Sequence, residues 1–108
     1  MANLDDSLRL VYDGVLEYAK ENLAEHGQAA VDDARAFVES IRDDYGKWLQ
    51  QVEDGDLSKG DLEWLVEGKK DLAQMYALKQ KGLAKAKIDE VVSATTALLV
   101  KTAVNAIA

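Results

Sequence analysis

Between Ala29 and Glu53 the chain places Val31, Ala34, Val38, Ile41, Tyr45, Trp48 and Val52 three or four residues apart. With 3.6 residues to a turn, that spacing puts all of them on one face of an α-helix. Phe37 and Leu49 widen the face, and Asp32, Asp33, Arg35, Glu39, Arg42, Asp43, Lys47 and Gln51 fill the far side. An isolated helix is not stabilised by an apolar stripe facing water, so partner helices must cover it. The pattern predicts a helix over 28–53 at the centre of an all-α fold.

The flanking stretches supply partners of the same kind. A first helix is expected over 5–25, capped by Asn3 or Asp5, with Leu8, Val11, Val15, Ala19 and Leu23 on its apolar face. Gly14 inside it reads as the site of a close helix crossing. His26-Gly27 reads as its end, with the glycine in a left-handed C′ conformation. So short a link to the central helix predicts an antiparallel hairpin. Gly46 is read as a second packing site. Asp54–Asp61 gathers glycine, aspartate and serine and is the clearest break. Ser58 and Asp61 have the spacing of a capping box, with Asp where Glu or Gln is usual.

A third helix is expected over 59–81, carrying Leu62, Leu65, Val66, Leu72, Met75 and Tyr76, with Gly82 as its alternative end. A fourth, over 84–107, has Lys101 as its only charge after Glu90. A helix apolar nearly all round is buried, self-associating or in a membrane. The uncharged run is too short to span a bilayer. The residues Val91, Val92, Leu98, Leu99, Val100, Val104 and Ile107 are therefore read as a self-association surface. The expected architecture is a single domain over 1–108. It is an up-and-down bundle of three or four helices, completed by a second copy. With no proline in 108 residues, long helices go uninterrupted.

Net charge is −7, unevenly spread. Residues 1–57 hold 14 acids and 5 bases, whereas residues 58–87 hold 4 acids and 7 bases. The acidic half would repel nucleic acid, and the basic third is expected to match it within the chain or between copies. Lys79, Lys81, Lys85 and Lys87 also suit an anionic lipid surface. With no cysteine there are no disulfides or thiolate metal sites. The start MANLDDSLRL lacks the pattern of a signal peptide, so a cytoplasmic location is expected.

Nothing in the sequence carries catalysis. The one histidine, His26, has Leu23 three residues before it, so the Glu-x-x-His pair of di-iron bundles is missing. A calcium loop counted from Asp54 fails at its twelfth place, Leu65. No nucleophile elbow or phosphate-binding glycine loop is present. Trp48, Trp64 and Tyr45 read as core aromatics. The expected function is a non-enzymatic, self-associating structural or adaptor protein without cofactors. One alternative is an acidic binding protein that masks a basic partner, as an immunity protein or antitoxin does, through Asp32, Asp33, Glu39, Asp43 and Asp44. The other is a peripheral membrane-surface protein using the 79–87 lysines and the last helix.

Overall fold

Covering the central apolar row takes helices from both ends of the chain. The computed structural model describes residues 4–107, apart from the side chains at 24, 106 and 107. Its helices are α1 (Leu4–Asn22), α2 (Gly27–Ser40), α3 (Arg42–Glu53), α4 (Lys59–Glu67), α5 (Tyr76–Gln80) and α6 (Lys85–Ile107). Short 3-10 turns at Ala24–His26 and Lys70–Leu72 complete it, and no strand occurs among the described residues. Asn3, one of the two expected caps of α1, lies outside those residues.

α1 packs against both α2 and α6. Its pairing with α2 is antiparallel: Asp5, at its start, pairs with Arg42 just past the end of α2, and the Tyr12 hydroxyl donates to Glu39 at 3.0 Å. The expected face of Leu8, Val11, Val15, Ala19 and Leu23 is buried throughout. Gly27 corrects one reading. It is the first residue of α2 rather than a left-handed stop, and the chain turns instead through the 3-10 segment, where the His26 N–H reaches the Leu23 carbonyl at 2.9 Å.

Gly14 is the close crossing of α1 and α6. A Cβ there would lie 2.6 Å from Leu98 Cδ2. That atom ends a flexible, half-buried side chain, so Gly14→Ala should stay within about 1 kcal/mol of wild type, the helix-propensity gain offsetting the displaced leucine. Gly14→Val adds branches that this crossing cannot place, and should cost about 2 kcal/mol in urea denaturation.

The central helix is not continuous. It breaks at Ile41, where the backbone N–H bonds the Val38 carbonyl at 3.1 Å. The Phe37 carbonyl that a regular helix would offer it is taken by the Ser40 hydroxyl. Helical bonding resumes at once, with Tyr45 N–H on Ile41 O at 2.8 Å. The bend keeps the row in register: Ala34, Val38, Ile41, Tyr45 and Trp48 are all buried.

The expected helix over 59–81 is three pieces. Between the 3-10 turn and α5, Met75 adopts a left-handed conformation (φ 55°) that a side chain disfavours. It is held there from a distance. Asp33 of α2, itself buried, accepts the N–H groups of Ala77 (3.0 Å) and Leu78 (2.8 Å), the first residues of α5 after Tyr76. Met75 and Leu78 then fill a second apolar cluster with Ala30, Ile88 and Val91.

α6 closes the main core. Ile88, Val91, Val92, Leu99, Val100 and Ala103 are buried against the other helices. Two of its buried threonines bond within their own helix, Thr95 to the Val91 carbonyl (2.8 Å) and Thr96 to that of Ser93 (2.9 Å). Tyr45 ties α3 to α6, its hydroxyl donating to the Leu99 carbonyl at 2.7 Å.

Candidate protein-docking surface

α4 begins with a capping box. The Asp61 N–H bonds the Ser58 hydroxyl and the Ser58 N–H bonds the Asp61 carboxylate, both at 3.1 Å. The shorter Asp therefore fills the place of Glu. The cap fixes the rotation of a nine-residue helix that buries Leu62 and Val66. Residue 64 then lies about 200° around from Leu62 and points away from the core. Trp64 is 76% exposed, which corrects its expected place in the core; Trp48 and Tyr45 are buried as expected.

The exposed indole borders a shallow cleft of about 470 Å³ lined by Trp48, Trp64, Leu65, Glu67, Gly68 and Lys69. The patch offers both an apolar knob and an apolar recess. At Gly68 a Cβ would meet only backbone carbonyls of α4, at 3.4 and 3.6 Å, so no neighbouring element covers it. The charges around it are matched. Lys69 pairs with Asp44 of α3 at 3.2 Å, and Glu67 with Lys70 at 2.8 Å. A surface Trp with a neighbouring apolar recess is the usual anchor of a protein interface.

The residues expected to mediate self-association are on α6. Val91, Val92, Leu99 and Val100 sit in the chain's own core, so their apolarity is accounted for within one copy. Leu98 and Val104 are half-buried, and the side chain of Ile107 lies outside the described residues.

The expected acidic face is dispersed. Asp33 is buried inside the fold, where it accepts the Ala77 and Leu78 N–H groups at the start of α5. Glu39 accepts from Tyr12 and lies 3.8 Å from Arg42. Asp44 pairs with Lys69, and Asp32 accepts from Gln28 at 2.8 Å. Asp43 alone of the five is exposed without such a contact among the described residues. Burial, with Glu39 as acceptor, pushes the Tyr12 phenol up to about 12, so it remains a donor at neutral pH. Among the described residues the match of acidic and basic segments comes down to one long-range ion pair, Lys69–Asp44; Lys85–Asp89 and Lys87–Glu90 are local.

Among the described residues no three His, Cys, Asp or Glu side chains are grouped to hold a metal ion, and no helix is long and apolar enough to cross a membrane. No protein-family model matches the chain, and no curated protein or solved structure matches it either.

Proposed function

We propose that this chain is a non-catalytic structural or adaptor protein that self-associates, with the Trp64 cleft as the contact between two copies. The observation that carries this reading is an indole 76% exposed beside an apolar recess. Exposing so large a ring has no benefit for the monomer, whereas burying it contributes more than any other side chain on this face. A second copy suits the patch because knob and recess lie side by side. A two-fold axis would place each Trp64 in the other's cleft, and an interface of that symmetry must be self-complementary. Matched charges at Glu67 and Lys69 support the same occupant, since a chain of net charge −7 associates with itself only where its acids are offset. In this reading α1, α2–α3, α4 and α6 form an up-and-down bundle whose outer face on α4 is completed by the second copy.

Indole quenching tests the proposal. In dilute solution iodide should quench most of the Trp64 emission. At concentrations that favour association, the emission should shift to shorter wavelength and lose its iodide sensitivity. Trp64→Phe should remove the concentration dependence. Quenching that is independent of protein concentration rejects the reading.

A further inference from the structure

A second recess lies on another face. It holds about 680 Å³ where the 3-10 turn at Lys70–Leu72 and α5 meet the first turns of α6. Its floor is apolar, made by Ala73, Leu83, Ile88 and Val92. Its rim carries the ammonium groups of Lys70, Lys79 and Lys85. Two of these are already paired, Lys70 with Glu67 at 2.8 Å and Lys85 with Asp89 at 3.0 Å. Lys79 is exposed and has no ion pair among the described residues. It belongs to the segment 79–87, which has four lysines and no acid. Asp71 and Asp89 are the acids of the rim; with Lys70 and Lys85 already paired, Lys79 and Asp71 are its two charges without an ion pair among the described residues. The wall bearing Lys79 is fixed, because α5 is anchored by Asp33 and by the buried Leu78.

An apolar floor beside an exposed ammonium group that has no ion pair is complementary to a ligand with an anionic head and one alkyl chain. We infer that this cleft binds a monomeric anionic amphiphile, the chain on Ile88 and Val92 and the head at Lys79. Room for the chain continues along α6. Ser93 also lines the adjoining cleft of about 450 Å³, where Val66, Ala97 and Val100 supply apolar surface. From Ile88 to Val100 the helix rises about 18 Å. One leaflet of a bilayer core is about 15 Å deep, which is the reach of a long acyl chain. A long chain should therefore bind better than a short one.

The test is a titration of the full chain with a dansyl-labelled undecanoic acid below its micelle concentration. Saturable enhancement is expected, displaced by palmitate and by lysophosphatidic acid, which share the head charge and chain. Octanoate and hexadecanol should displace it poorly. The relative strength of palmitate and lysophosphatidic acid then tells a carboxylate ligand from a phosphate one. Lys79→Gln, an exposed change that leaves the fold intact, should weaken binding about tenfold, equivalent to ~1.4 kcal/mol. Val92→Phe fills the floor and should abolish binding, with circular dichroism to show that the helices persist. The inference is overturned if the probe shows no saturable enhancement, if Lys79→Gln binds as tightly as wild type, or if hexadecanol competes as well as palmitate. It is equally overturned if the chain floats with phosphatidylglycerol vesicles but binds no monomeric amphiphile, since the lysines would then serve a bilayer surface instead of a cleft.

Discussion

Replacing Asp33 with alanine should lower the stability of the fold by about 3 kcal/mol, more than any other change to a polar side chain. Each of its carboxylate oxygens takes one backbone N–H, Ala77 at 3.0 Å and Leu78 at 2.8 Å. Hydrogen bonds to a charged group are worth about 1.5–3 kcal/mol each, and here the donors lie next to the core. Losing them also removes what holds Met75 in its left-handed conformation, which costs about 1–2 kcal/mol on its own. A five-residue helix cannot stand without such support. The expected result is a lower urea midpoint, with a fall in Tm on the order of 12 °C. Asp33→Asn keeps one acceptor oxygen and should lose about half as much. Hydrogen exchange identifies the cause: the amides of Ala77 and Leu78 should become fast in both variants, while those of α1 remain slow. Unchanged protection at these two amides would show that the carboxylate does not hold α5.

Tyr45→Ala should cost about 4 kcal/mol, the range found for removing a large buried ring. The residue is fully buried in the main core, which it shares with Leu99 of α6. Tyr45→Phe separates packing from hydrogen bonding. It keeps the ring and loses only the 2.7 Å bond to the Leu99 carbonyl, so about 1 kcal/mol is expected. The same residue predicts a pH effect. Burial raises the folded-state ionisation of Tyr45 well above the ordinary 10.0 of a phenol. The unfolded chain can therefore release this proton above pH 10 while the folded chain cannot. Stability should be flat up to about pH 10 and fall as pH rises further. Tyr12, raised to about 12 in the fold, contributes in the same direction between those values. Alkaline denaturation should be shallower in Tyr45→Phe than in wild type. Identical profiles would mean that the phenol is not sequestered.

Much of this fold is legible in the sequence, because helical periodicity reports faces directly. The apolar face of α1 and the row from Ala34 to Trp48 are buried as their spacing predicts. The Ser58–Asp61 cap is formed despite the shorter acid. Periodicity is blind to breaks that preserve the face. The bend at Ile41 leaves the stripe in register and depends on one hydroxyl competing for one carbonyl. It is also blind to partners far along the chain. Asp33 looks like one more solvated acid beside Asp32, and its role is set by amides 44 and 45 residues away. The exposed Trp64 was within reach of sequence reasoning. Leu62 and Val66 fix the inward side of α4, and residue 64 falls opposite both. A long helix continued to residue 81 obscures that, because the later apolar residues would give it a second face. The apolarity of α6 has a reading within one chain as well, since Val91, Val92, Leu99 and Val100 are buried against neighbouring helices, and an apolar run alone does not tell that from a surface for a second copy.

The central claim is that two copies meet through α4. Light scattering of wild type and Trp64→Glu at the same micromolar concentrations tests it most directly. The substituted side chain is exposed, so the variant should fold and melt as wild type does. Wild type should scatter as twice the 11.8 kDa chain, and Trp64→Glu as one. A wild-type mass of one chain, or a variant that remains paired, would contradict the account.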